Sequence, residues 1–194
     1  MEGLARGRFG PRIPRSDPPR RPGHARAGGC RVKRMNFLMK PSVLWSFFLG
    51  LDVLIFDRLH KYFQVDMAGW TGGEVIEVAP FFDYTLVWNT GISYGLMGGM
   101  TPEMLLLIMG LAVVALAWWW VKEDSLLTRI GIALAIGGAL SNAIDRVVYG
   151  AVADFFSLSF FPYIFNIADM AITTGVIALI IDVLRPRPEP ESKS

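Results

Sequence analysis

Apolar runs of about twenty residues, the length that spans a hydrocarbon core roughly 30 Å thick, recur along this chain. The first, SVLWSFFLGLDVLIFDRLHKYF, covers Ser42 to about Phe63 and predicts a transmembrane helix. It holds Asp52 near its middle and Asp57, Arg58 and Lys61 toward its far end. A second helix is announced by Thr101-Pro102-Glu103: a capping hydroxyl, a proline in the first turn and an acid at the positive dipole end. It runs through MLLLIMGLAVVALAWWWV and stops at Lys122, with Trp118, Trp119 and Trp120 placed as an interfacial aromatic belt. The third helix extends from about Leu127 to Tyr149. Its Gly131, Ala135 and Ala139 recur every four positions, as do Gly137 and Ser141, which lets neighbouring backbones approach. The fourth, from about Asn166 to Leu184, repeats the device with Ala171 and Gly175.

Between the first two helices the pattern changes. Residues 65–100 carry β-branched and aromatic runs, EVIEV and YTLVW, parted by Pro80 and bounded by glycines. The expected architecture is therefore an all-α membrane protein: four transmembrane helices and a small β-containing outer domain between the first two. Asn89-Thr90-Gly91 reads as a turn, with Asn89 a residue that tolerates positive φ.

Composition fits a membrane protein, since 53% of the residues are hydrophobic and the mean hydropathy is positive, at +0.41. Eleven of the nineteen Lys and Arg precede Pro41, interleaved with Pro and Gly. Such a segment buries too little apolar surface to fold, so residues 1–41 are expected to be a disordered basic extension. Met35 opens MNFLMKPSVLW, a more usual start for a membrane protein, and residues 1–34 are expected to derive from an upstream start choice. Residues 42–184 then form the membrane domain, and 185–194 a polar tail. The single cysteine, Cys30, permits no internal disulfide, and His24 and His60 offer no metal-ligand spacing. Neither a metal nor a cofactor is expected.

Segments 65–100 and 150–165 contain no Lys or Arg, whereas the N-terminal flank, the 122–129 turn and the tail do. The positive-inside rule then places both termini in the cytoplasm. Asn142, Asp145, Arg146, Asp154, Asn166 and Asp169 gather at the outer membrane–water boundary, where Asp57, Lys61 and Asn89 also arrive. A charged group at the centre of a membrane helix costs roughly 2.5–3.5 kcal/mol on insertion scales, so such a cluster marks a functional site.

Asn142, Asp145 and Arg146 stand at i, i+3 and i+4 on one helix face. Asn166 and Asp169, three apart, also fit a capping arrangement, and spacing alone leaves Asp169 open as cap or catalyst. Asp154 taken singly reads as a solvated loop acid. Asp57 and Lys61, four apart, read on spacing alone as a local ion pair on a snorkelling basic end. Convergence favours chemistry. Two carboxylates at the outer edge of adjacent helices, with amides and one arginine but no nucleophile–base pair, suit water activation. Close together, they would share one proton.

GGALSNAIDRVVYGAVADFF followed by FNIADMAITTG resembles the paired signatures of bacterial lipoprotein signal peptidase, the type II signal peptidase of the inner membrane. FDRLHK is similar to that family's Asp-x-x-x-Lys, and VWNTGISYGLM to its Asn-x-Gly segment. The resemblance covers roughly Ser42 to Leu184. It implies an aspartyl endopeptidase that cuts prolipoproteins just before a diacylglyceryl-bearing cysteine. Its catalytic pair falls on Asp154 and Asp169, and its supporting residues on Asn142, Asp145, Arg146, Asn166, Asp57, Lys61 and Asn89. Diacylglyceryl-modified prolipoproteins and membrane lipid are the implied partners, with no nucleic acid, and a monomer is expected. Ser141 stands where the family usually has glycine, Ala153 where it has valine, His60 where serine or threonine is common and Tyr94 where phenylalanine is common. Asp52 has no family role and is expected to be protonated or partnered within the bundle.

The rival reading is a small transporter or proton-relay protein, since intramembrane acids also build relays. A relay needs acids through the membrane depth, and the third and fourth helices read as bare below the outer boundary. A catalytically dead relative that only binds precursors finds no support, because both positions of the pair are Asp.

Overall fold

The computed structural model describes residues 40–91 and 101–185. The extension over 1–39, the segment 92–100 with Tyr94, and the tail beyond Arg185 lie outside the described residues. Helix α1, Pro41–Lys61, begins on a proline, whose missing N–H is no loss in a first turn. It passes into a π-helical turn, Tyr62–Met67. Strands β1, Val75–Ala79, and β2, Phe82–Asn89, follow as the two β-rich runs predict.

Helix α2, Pro102–Lys122, is capped by Thr101, whose side chain accepts from the Met104 N–H at 3.4 Å. Helix α3, Leu126–Tyr149, is capped by Ser125 and ends on Gly150 at φ 76°, a left-handed C-cap that glycine adopts without strain. Strands β3, Val152–Leu158, and β4, Phe161–Phe165, lead into helix α4, Ile167–Leu184.

The 150–165 segment is thus a β-hairpin rather than a loop. It completes a four-stranded antiparallel sheet in the order β1-β2-β3-β4. The chain is mostly helical rather than all-α, and its sheet draws half its strands from between the third and fourth helices. Leu86, Ala153 and Phe155 form the sheet's buried apolar cluster, with Trp70, Tyr84 and Trp88 packed against it.

Helices α2, α3 and α4 are long and apolar enough to cross a membrane, and among the described residues they are three in number. At 21 residues α1 is long enough, but Asp52, Asp57, Arg58 and Lys61 keep it out of that class. Helix α3 is central and packs on the other three. Glycine sets the closeness of these contacts. A Cβ on Gly131 would sit 2.7 Å from the Gly175 carbonyl oxygen, one on Gly138 2.5 Å from that of Ala168, and one on Gly137 would run into the Gly50 carbonyl.

The ends of the helices away from the sheet are not bare. Buried Arg129 donates to Ser42 Oγ at 2.8 Å and to the Glu123 carbonyl, while Asp182 accepts from Ser125 at 3.0 Å and Thr128 at 2.7 Å. These groups tie helix ends together at one level, and the depth between them and the sheet carries no chain of acids on α3 or α4. Asp52 is exposed on α1, and among the described residues it has no partner within the bundle.

Candidate active site

The last turn of α1 brings Asp57, Arg58 and Lys61 against α3. Lys61 Nζ lies 2.7 Å from Asp57 Oδ2 and 2.6 Å from Asp145 Oδ2, with all three side chains fully buried. It also donates to Asn142 Oδ1 at 3.1 Å. The ion pair expected from spacing is present, but Lys61 does not snorkel. It turns inward because two carboxylates and an amide satisfy its three donors there. Arg58 pairs with the remaining oxygen of Asp145. Asp57 accepts in turn from Ser141 Oγ at 2.6 Å and from the Ala168 N–H at 3.0 Å, an otherwise orphaned amide in the first turn of α4. Two acids and two bases balance in this cluster, which fixes the ends of α1, α3 and α4 with respect to one another.

Asn142 and Asn166 carry the order of that cluster outward. Asn166 caps α4: its Oδ1 accepts from the Asp169 N–H at 2.9 Å, and Asp169 Oδ2 accepts from the Asn166 N–H at 3.3 Å. The capping reading therefore holds, yet it uses only one oxygen of Asp169. The other accepts from Asn142 Nδ2 at 2.8 Å. Asn166 Nδ2 donates to Asn142 Oδ1 at 3.1 Å and to Asp154 Oδ1 at 2.7 Å. The second oxygen of Asp154 accepts from Asn89 Nδ2 at 2.9 Å.

Register explains that last contact. Asn89 faces Val152 and Val87 faces Asp154, so Asn89 and Asp154 are diagonal neighbours on one face of the sheet. Asn89 also serves the turn, its Oδ1 accepting from the Gly91 N–H at 2.8 Å, but the positive φ, 84°, belongs to Gly91.

Asp154 is not a solvated loop acid: it is 2% exposed, on β3. Burial pushes its carboxyl up to about 7, against the hydrogen bonds of Asn89 and Asn166 and with help from the nearby charge of Asp169. Asp154 and Asp169 line one cavity of about 1010 Å³ together with Asn89, the β3–β4 hairpin and the α4 residues Met170, Thr173 and Thr174. Arg146 is half-buried and donates to the Asn142 carbonyl at 3.4 Å, close enough to both acids for their charges to act on it. With Asp57 and Asp145 balanced by Lys61 and Arg58, Arg146 offsets one negative charge on the pair. That balance is closest to neutral when Asp154 and Asp169 hold one proton between them. Among the described residues no three His, Cys, Asp or Glu side chains form a metal-holding group.

Residues 49–185 match the family described as signal peptidase (SPase) II. The chain belongs to the signal peptidase II family. It is 43% identical over 145 residues to a lipoprotein signal peptidase of Rhodopseudomonas palustris, covering 70% of this chain and 88% of that protein. One from Nitrobacter hamburgensis is 48% identical over 143 residues, with 69% and 87% covered. Among solved structures, a bacterial membrane enzyme determined by the in meso method at 1.9 Å matches with a TM-score of 0.66 at 33% identity, over 75% of this chain and 96% of that one.

Every residue that the family resemblance singled out in the described part of the chain lies in this one hydrogen-bonded assembly or, for Arg146, at its edge. Sequence reasoning missed Arg58 and Ser141 as members. Arg58 stands beside Asp57 in FDRLHK with no local sign of a partner 87 positions on. Ser141 looked like a small packing residue, but a hydroxyl where the family usually has glycine gives Asp57 an extra donor. His60 reaches the sheet, its Nε2 2.7 Å from Tyr84 Oη, and its ring packs edge-on to Phe155. Burial pushes the Tyr84 phenol up to about 12, which keeps it protonated.

Proposed function

We propose that this chain is an aspartic endopeptidase that removes signal peptides from diacylglyceryl-modified prolipoproteins, cutting just before the lipid-bearing cysteine. The observation that carries the reading is the placement of Asp154 and Asp169 on one cavity, with each carboxylate held by side-chain amides. The ionised member of the pair takes a proton from water. The resulting hydroxyl adds to the scissile carbonyl, whose oxygen is polarised by the protonated member. Collapse of the tetrahedral intermediate passes a proton to the leaving amine and restores the shared proton. Asn142, Asn166 and Asn89 orient the acids, Asp57, Lys61 and Asp145 fix the frame beneath them, and Arg146 offsets their charge. No metal or cofactor takes part.

The same proposal sets the protein in the bacterial inner membrane as a monomer with four spans, both termini cytoplasmic and the site at the outer face. Helix α1 serves as the fourth span because Asp57, Arg58 and Lys61 spend their charge on partners inside the bundle. The transporter reading is not favoured: the acids of α3 and α4 sit at the two boundaries rather than through the depth.

The test is a gel-shift assay on a diacylglyceryl-modified precursor with the wild-type protein, Asp154→Asn and Asp169→Asn. Wild type converts the precursor and both variants leave it intact while remaining folded and inserted. An active variant overturns the mechanism. Globomycin, the cyclic peptide that inhibits the family, blocks wild-type conversion.

A further inference from the structure

Helix α4 presents Asp169, Met170, Thr173 and Thr174 to the cavity, the i, i+1, i+4, i+5 pattern of one helix face. The two threonines differ. Thr174 spends its hydroxyl on the Met170 carbonyl, one turn back, at 2.7 Å. Thr173 is exposed to the cavity, and among the described residues its hydroxyl has no hydrogen-bond partner. It is a free donor on the same wall as Asp169 and about 6 Å further along the axis at 1.5 Å per residue.

What such a donor meets follows from the chemistry of the substrate, and so this inference rests on the proposed function. A signal peptide that lies helical in the bilayer must unwind near the cut before its carbonyl can be attacked. Where its helix stops, the last four carbonyls lose their intrahelical partners. In hydrocarbon each unsatisfied carbonyl costs several kcal/mol. An extended backbone advances about 3.3 Å per residue, so 6 Å below the acids corresponds to about two residues on the signal-peptide side of the cleaved bond. We propose that Thr173 Oγ1 donates a hydrogen bond to a backbone carbonyl of the precursor at that position, holding the unwound stretch in line with Asp154 and Asp169. Thr173 is then a substrate-binding residue, and its hydroxyl acts on binding rather than on bond cleavage.

The experiment compares steady-state cleavage of a diacylglyceryl precursor by wild type, Thr173→Val and Thr173→Ser, with Asp154→Asn as the inactive reference. Thr173 is exposed, and valine matches its shape without the hydroxyl. Thr173→Val raises KM about three- to tenfold, the worth of one neutral hydrogen bond, with kcat within about twofold of wild type. Thr173→Ser restores the wild-type KM. An unchanged KM in Thr173→Val, with wild type active and Asp154→Asn inactive, overturns this inference and leaves the proposed function standing. A wild type that fails to cleave overturns both. The glyceryl ester carbonyls are the other source of an acceptor, and a second precursor with ether-linked chains separates the two. A KM difference that persists on the ether-linked precursor supports the peptide carbonyl, and one that vanishes overturns it.

Discussion

Helices α1, α3 and α4 are joined by two chemistries along their length. Next to the sheet they meet through buried charge: Lys61 between Asp57 and Asp145, Arg58 on Asp145, Ser141 and the Ala168 amide on Asp57. Deeper, they meet through missing side chains, with Gly131 against Gly175 and Gly137 against Gly50. The first contact is directional and specific, and it sets where side chains point. The second is close packing in a solvent as apolar as the helices themselves, where association draws on van der Waals contact rather than hydrophobicity. The proposed catalytic pair sits on the directional layer, where hydrogen bonds from Asn89, Asn142 and Asn166 fix the carboxylate positions.

The largest effect separates function from frame within the polar layer. Asp154→Asn and Asp169→Asn each lower precursor conversion by at least about a thousandfold, the scale of losing a general acid or base, with the thermal midpoint in detergent unchanged or raised. Lys61→Met strikes the frame instead. It leaves Asp57 and Asp145 buried with one cation fewer and costs about 3–5 kcal/mol, read as a lowered unfolding midpoint.

The pH response probes Asp154. Its carboxyl titrates at about 7 in the folded protein against 3.8 when free, so between those values the folded state holds a proton that the unfolded state has released. This contribution to stability is complete below pH 3.8 and declines as pH rises through about 7. Unfolding midpoints followed over that range fall with pH in wild type, and the fall is reduced in Asp154→Asn. Gly137→Ala probes the glycine layer, where the added methyl meets the Gly50 carbonyl. It costs about 1–3 kcal/mol by forcing α1 from α3, and activity falls only as far as the polar layer is displaced. The smallest effect is that of Asp52→Leu: this side chain belongs to neither layer, so the substitution leaves conversion unchanged and improves membrane insertion, measured as the inserted fraction.

The helices were legible because their signals are local. Apolar length, the Thr101 hydroxyl and the Asn166–Asp169 box all act within a few residues. Strands β1 and β2 were legible as β-branched and aromatic runs parted by Pro80 and bounded by glycines. The β3–β4 hairpin was not, although VADFFSL and FPYIF are aromatic and β-branched. Pro162 argues against pairing, and β3 is stabilised by β2, some seventy positions earlier. The candidate site was legible as a set of residue types in family spacing, while its wiring was not. Ser141 meets Asp57 across 84 positions and the Ala168 amide meets it across 111, and no local pattern encodes such partners. The same holds for the inward turn of Lys61 and the exposure of Asp52, both decided by which neighbours the fold supplies.

The Asp57–Ala168 contact has a consequence for biogenesis. Its acceptor is made early and its donor only when the final span emerges, so the two halves of the polar layer exist in one molecule only at the end of synthesis. A chain that stops short of α4 lacks both Asp169 and the amide that holds Asp57.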